Sequence, residues 1–352
     1  CDRWSSALAM LGVQQGDRVA TLAPNTHQHL EQYYAIPQLG AVIVPMNYRL
    51  VADDFVYLAN HSGSKVLCAH ADYLDTVDKV RDRMTTVEHF VALEGAGPGW
   101  LDYEHLLAAS DGVFERPSIA ESELLSINYT SGTTSRPKGV MITHRNAWVN
   151  AIGTLAHLPM TPADRYLWTL PMFHANGWTY TWIVTAAAAL HVCLRQVDAA
   201  SIYRLVNHER ITMLCAAPTV LIAIASGPAE ERMALRRGVR VATAGAPPAA
   251  ATIERMEGEL GWTLTQVYGL TETAPFISIR VLSATVVPCT IASHCPAKSC
   301  RVRPSICASF SRPLITPIDR SFGVLRFLYS VTCAPLRSAK SVNVPPISIP
   351  TR

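Results

Sequence analysis

Tyr129-Thr130-Ser131-Gly132-Thr133-Thr134-Ser135-Arg136-Pro137-Lys138-Gly139-Val140 is the most informative stretch of this 352-residue chain. It follows a short apolar run, Ser126 to Tyr129, that reads as a strand. Small residues let successive backbone N–H groups converge on an anion, five Ser and Thr hydroxyls add donors, and Lys138 brings a positive charge. The composition suits a loop that grips phosphate. It is not the Walker A pattern, because Pro137 stands where the second glycine belongs and Gly139 follows the lysine in place of Ser or Thr. A polar surface turn is the competing reading, and the loop alone leaves both open.

Outward from this loop, short apolar runs alternate with amphipathic stretches from Asp17 to about Ile279, the pattern of strands interleaved with helices. Strands are expected at Arg18 to Leu22, Ala41 to Val44, Lys65 to Cys68, Val87 to Leu93, Ser126 to Tyr129, Arg165 to Thr169, His191 to Leu194, Met213 to Ala216, Val239 to Thr243 and Thr263 to Val267. Most are apolar on both faces, which suits parallel sheets covered by helices on each side, so the fold class is α/β. Helices are expected at Thr26 to Leu39, Asp72 to Arg83, Arg145 to Leu155, Ala199 to His208, Pro218 to Ile224 and Ala249 to Leu260. The Gly- and Pro-rich stretch Glu94 to Ser118 reads as a surface connection.

With 49% hydrophobic and 16% charged residues the chain is globular rather than disordered over most of its length. No apolar run approaches the roughly 18 residues of a membrane span. The four cysteines before residue 280 lack metal-site spacing, so a reduced, cytoplasmic setting is expected. Charge is divided unevenly. Residues 280–352 hold ten Lys and Arg against one acid, Asp319, together with five of the nine cysteines and nine of the 23 prolines. That segment shows no sustained helical or strand period and is expected to be a disordered, non-homologous basic tail, with a shifted reading frame after about residue 279 as the favoured origin. Its cations are spread singly rather than clustered, so no nucleic-acid partner is expected.

Three further segments carry candidate chemistry. In Val267-Tyr268-Gly269-Leu270-Thr271-Glu272-Thr273 a carboxylate follows an apolar strand, and beside a polyphosphate it would be a hard oxygen ligand for Mg²⁺. Ala244-Gly245-Ala246-Pro247-Pro248 follows another strand, and Gly245 would let backbone approach a ligand closely. Each is also readable as an ordinary strand-ending turn. Pro171-Met172-Phe173-His174-Ala175-Asn176-Gly177-Trp178 holds a histidine among apolar residues, a setting more often of a packed core histidine than of a catalyst.

Taken together, and in this order along the chain, these strings resemble the adenylate-forming superfamily, and within it the AMP-forming acyl-CoA ligases of short and medium acids. The resemblance covers about residues 2–279 and implies the superfamily's large N-terminal domain, with helix-covered, mostly parallel sheets. It implies ATP, Mg²⁺ and coenzyme A, with a small carboxylic acid as the other partner. Thr130, Ser131, Gly132, Thr133, Thr134 and Lys138 would hold the phosphates, Thr271 the α-phosphate and Glu272 the Mg²⁺. Gly245, Ala246, Tyr268 and Gly269 would frame the adenine. His174 would stand between the acid's carboxylate and the coenzyme A route, with Asn176, Gly177 and Trp178 at the acyl pocket. By the same resemblance Lys138, Thr271, Glu272 and His174 are the candidate catalytic residues. The family's Thr-Gly-Asp segment, hinge and C-terminal Gly-Lys are not found after Ile279. The expectation is therefore an incomplete large domain, an absent small C-terminal domain and little or no turnover, with a non-catalytic nucleotide-binding remnant or interaction protein as the alternative.

Overall fold

Runs that are apolar on both faces have to be covered twice, and the chain does this by building two sheets with helices between and outside them. The computed structural model describes residues 1–130 and 136–281. The first sheet holds β1 (Arg18–Leu22), β2 (Val42–Pro45), β3 (Ser64–Ala69), β4 (His89–Ala92), β5 (Leu101–Asp102), β6 (Leu124–Thr130) and β7 (Lys138–Thr143), in the order β5-β4-β3-β1-β2-β6-β7. The second holds β8 (Arg165–Trp168), β9 (Leu190–Cys193), β10 (Met213–Ala216), β11 (Arg240–Thr243), β12 (Thr263–Gly269) and β13 (Phe276–Val281), in the order β13-β12-β11-β10-β8-β9. The β6–β7 and β12–β13 pairs are antiparallel, and the remaining pairs are parallel.

Period-two alternation sorts the strand residues into layers. Val19, Ile43 and Val66 of the first sheet share a core with Tyr166, Met213 and Cys215 of the second, packed around Tyr33 and Ile36 of the helix His27–Gln38 and Tyr180 and Ile183 of the helix Tyr180–Ala186. Their strand neighbours Ala20, Val44 and Leu67 turn the other way, onto the helix Ala52–Ser62. Leu167, Leu214 and Val241 turn onto the helices Ala199–His208 and Pro218–Ser226. The expected α/β class with mostly parallel, helix-covered sheets is what forms.

Differences from the sequence expectation have local causes. Strands β5, β7 and β13 were not expected; all three lie at sheet edges, and β7 opens inside the loop string itself, at Lys138. The stretch Glu94 to Ser118 is not a plain surface connection: it contains β5 and the helix Tyr103–Ala109, whose Tyr103 ring packs edge-on against Trp4 at 4.8 Å. The expected helix Asp72 to Arg83 is broken into 3₁₀ turns at Ala71–Tyr73 and Arg81–Arg83 around a short α-helix, Leu74–Asp78. The basic segment after Val281 lies outside the described residues, and among those described no helix is long and apolar enough to cross a membrane.

One buried histidine makes the core sensitive to acid. His29 is fully buried, with Nδ1 3.1 Å from the Pro24 carbonyl and Nε2 3.4 Å from Thr21 Oγ1. Burial pulls its pKa down to about 4. The unfolded chain takes up that proton near about pH 6.5, so the stability this residue confers is complete above that pH and is lost as pH falls toward 4, at up to about 1.4 kcal/mol per pH unit. Urea unfolding midpoints should drop between about pH 6.5 and about pH 4.5, and the drop should be shallower in His29→Gln.

Candidate nucleotide and acid site

The phosphate-like loop is the connection of the β6–β7 hairpin. Thr130 ends β6 and pairs with Lys138, the first residue of β7. A Cβ on Gly139 would lie 2.9 Å from Ile127 Cγ2, so glycine lets β7 sit closely on β6 at the loop's base. Tyr57 donates its hydroxyl to the Pro137 carbonyl at 3.1 Å and anchors the exit of the loop. The Lys138 side chain is exposed, and its ammonium has no hydrogen-bond or ion-pair partner among the described residues. Ser131, Gly132, Thr133 and Thr134, with Ser135, lie outside the described residues.

The other three motifs leave the carboxyl ends of parallel strands in the second sheet, where open α/β sheets gather their ligands. The Ala244-Gly245-Ala246 turn follows β11, and the Thr271 segment follows its neighbour β12. Gly245 has φ +91° and open space where a Cβ would stand, so its left-handed backbone is what demands glycine. Tyr268 is 59% exposed on β12. Gly269 is required for a different reason: a Cβ there would lie 1.8 Å from the Pro275 carbonyl oxygen. Thr271–Thr273 forms a single 3₁₀ turn, closed by Leu270 N–H donating to Thr273 Oγ1 at 2.9 Å, and Glu272 is exposed on it.

The histidine motif follows β8 and takes an unusual form. Ala175, Asn176, Gly177, Trp178 and Thr179 have φ of 41°, 49°, 57°, 53° and 68°, a continuous left-handed turn. Each non-glycine residue held this way costs about 1 kcal/mol, so the turn must be fixed from outside. Thr181 Oγ1 donates to the Asn176 carbonyl at 3.0 Å, and Asn25 holds the approach by donating to the Trp168 and Leu170 carbonyls and accepting from Met172 N–H. Gly177 packs against the Trp168 ring, where a Cβ would meet Cζ3 at 2.5 Å. His174 precedes the turn and is open to solvent on one side. The protein around it desolvates its imidazolium and Arg49 repels the charge, so its pKa is lowered. Phe173 beside it packs edge-on against Tyr48 at 5.2 Å.

Three of these pieces are joined directly. Thr179 Oγ1 lies 3.2 Å from the Ala274 carbonyl and 3.0 Å from Asn150 Oδ1, while Asn150 Nδ2 donates to the Phe276 carbonyl at 3.2 Å. Asn176 Nδ2 donates to Ser126 Oγ on β6 at 2.7 Å. Between them lies a narrow void of about 10 Å³ lined by Asn128, Asn176, Thr179, Trp182, Thr271 and Ala274, among others. A larger, open hollow beside Cys1, Glu31 and Glu104 lies away from all the motifs.

Lys138, Glu272, His174, Gly245 and Ala246 do not line the void between these pieces. Ser126, Asn128, Asn150 and Thr179 went unnoticed in the sequence. The first two had a signal: polar residues two apart on one face of an otherwise apolar strand.

Motif-bearing loops at one end of two mostly parallel, helix-covered sheets define an α/β domain of the ligand-binding kind. A family model described as AMP-binding enzyme matches residues 1–303, and the chain belongs to that family. It is 37% identical over 279 residues to 4-hydroxybutyrate–CoA ligase 2 of Metallosphaera sedula, covering 76% of this chain and 50% of that protein. It is 34% identical over 288 residues to 2-methylpropanoate–CoA ligase CCL4 of Humulus lupulus, covering 78% and 51%. Among solved structures, the inhibitor-bound N-terminal domain of FACL13 from Mycobacterium tuberculosis superposes with a TM-score of 0.71 at 29% identity, covering 78% of this chain and 67% of that one. The chain spans about half the length of the curated relatives it matches.

Proposed function

We propose that this chain binds MgATP and a short- or medium-chain carboxylic acid and joins them as an acyl-adenylate, the first half of an AMP-forming acid–CoA ligase reaction. The observation that carries this is the meeting of the acid turn, the Thr271 loop and strand β6 around one narrow void. In that reading a carboxylate oxygen of the acid attacks the α-phosphorus and pyrophosphate leaves. A coenzyme A thiol then attacks the acyl carbon and AMP leaves.

Lys138 and the loop residues Thr130, Ser131, Gly132, Thr133 and Thr134 hold the phosphates, and Thr271 contacts the α-phosphate. Tyr268, with 59% of its surface free, stacks on adenine beside Gly245, Ala246 and Gly269. Asn176, Gly177 and Trp178 shape the acid pocket, and the neutral His174 closes it toward coenzyme A without adding a competing charge. Glu272 suits Mg²⁺ because its exposed carboxylate is a hard oxygen donor. When bound, Mg²⁺ would offset phosphate charge. Residues 1–279 form the adenylation core in this proposal, with Arg280 and Val281 completing β13.

The relatives' names span a hydroxylated and a branched acid, so chain length is read from a panel. Calorimetry on the whole chain should detect MgATP binding, and labelled pyrophosphate should exchange into ATP when a suitable acid is present. No heat with MgATP would overturn the proposal. Binding without exchange for any acid would reduce it to a nucleotide-binding protein.

A further inference from the structure

The β6–β7 connection and the helix Ala52–Ser62 touch in a way that the seating of the helix does not require. Phe55, Val56, Leu58 and Ala59 are buried in the core beneath the first sheet and hold the helix there. Tyr57 and His61, four residues apart and so on one helix face, reach instead to the β6–β7 hairpin. Tyr57 donates its hydroxyl to the Pro137 carbonyl at 3.1 Å, and the Arg136 guanidinium lies 5.7 Å from the centre of the Tyr57 ring, within cation–π range. His61 Nδ1 lies 2.7 Å from the Tyr129 hydroxyl, and the Tyr57 and His61 rings are 5.1 Å apart. One helix face therefore holds both stems of the connection: Tyr129 at the end of β6, and Arg136 and Pro137 just before β7 begins.

Lys138 stands where this bracing matters. It belongs to the last ladder pair of the hairpin, Thr130↔Lys138, and β7 is an edge strand with a ladder partner on one side only. The carbonyl of the Pro137–Lys138 peptide lies beyond that last pair and is held from the helix by Tyr57. The Lys138 ammonium itself is exposed, so its aim is set by the backbone from which it extends. A group fixed before its ligand arrives loses less freedom on binding, and the ligand binds more tightly for it.

We propose that Tyr57 and His61 are positioning residues for the phosphate grip: they brace both stems of the hairpin so that Lys138 is aimed at the nucleotide's phosphates before ATP arrives. Neither residue touches the nucleotide. This rests on the MgATP site proposed above.

The test is calorimetry on the whole chain with MgATP and with adenosine, which carries no phosphate. Tyr57→Phe keeps the ring and removes one hydroxyl; it should weaken MgATP binding about 3- to 10-fold, the range of one neutral hydrogen bond, and leave adenosine within about 2-fold. His61→Ala changes an exposed residue and should weaken MgATP by about 2- to 5-fold, again with adenosine unmoved. In a Lys138→Ala background the Tyr57→Phe loss should shrink to under about 2-fold, because a residue that acts through another does not add to its removal. Should Tyr57→Phe not fold, His61→Ala carries the same comparison, alone and combined with Lys138→Ala. Undiminished MgATP affinity in either single variant, equal losses for MgATP and adenosine, or equal losses with and without Lys138 would each overturn the positioning role. No uptake of MgATP by the unaltered chain would instead overturn the parent proposal, and this one with it.

Discussion

Lys138→Ala is expected to weaken MgATP binding by about 10- to 100-fold with no change in fold stability. A charge-assisted hydrogen bond to phosphate contributes about 1.5–3 kcal/mol, which is that range in affinity. The separation of the two effects follows from the structure. Lys138 opens β7 at the loop's exit, and its exposed ammonium has no partner among the described residues, so truncation removes no side-chain contact with them. Surface changes of this kind fall within about 0.5 kcal/mol. Calorimetry with MgATP and a urea melt on the same samples check both halves. A variant that binds MgATP like the parent would remove Lys138 from the site.

Gly269→Ala should have the larger effect on the fold, a loss of about 2–4 kcal/mol, because the added carbon has nowhere to go. It would stand 1.8 Å from the Pro275 carbonyl oxygen, 2.7 Å from its carbon and 3.0 Å from Phe276 Cα. All three are backbone atoms, so no side chain can swing aside. The β12–β13 ladder must open at Gly269↔Phe276, and with it the Leu270 N–H to Pro275 carbonyl bond of 3.1 Å. The Thr271 turn sits inside this closure, so MgATP binding should fall together with the melting temperature, by several degrees. A melting temperature equal to the parent's would show that the hairpin relaxes at no cost.

Fold and site were legible to different degrees, and for physical reasons. Strands β1 and β10 could be read to the residue because both are buried on two sides. The helices His27–Gln38 and Ala199–His208 could be read from their caps: Thr26 Oγ1 accepts from His29 N–H, and Asp198 Oδ1 accepts from Ser201 N–H. β13 is a half-solvated edge whose apolar residues alternate with polar ones, and β7 begins within the loop string, at Lys138. The motifs around Gly245, Thr271 and His174 were visible as strings, but their meeting was not. Nothing local in Ser126 or Asn128 points to Asn176, 50 residues on; only the strand order of two sheets brings them together. The left-handed run from Ala175 to Thr179 was likewise hidden, since only Gly177 and, less readily, Asn176 tolerate positive φ.

The bridge from Thr179 to the Ala274 carbonyl has a thermodynamic corollary. In the proposed reading this bond is a strut between the seat of the acid and the seat of the nucleotide, so the two occupancies would share one free energy, and such sharing runs equally in both directions. Whatever factor a well-fitting acid would add to the proposed grip on ATP, ATP would return in full to that acid.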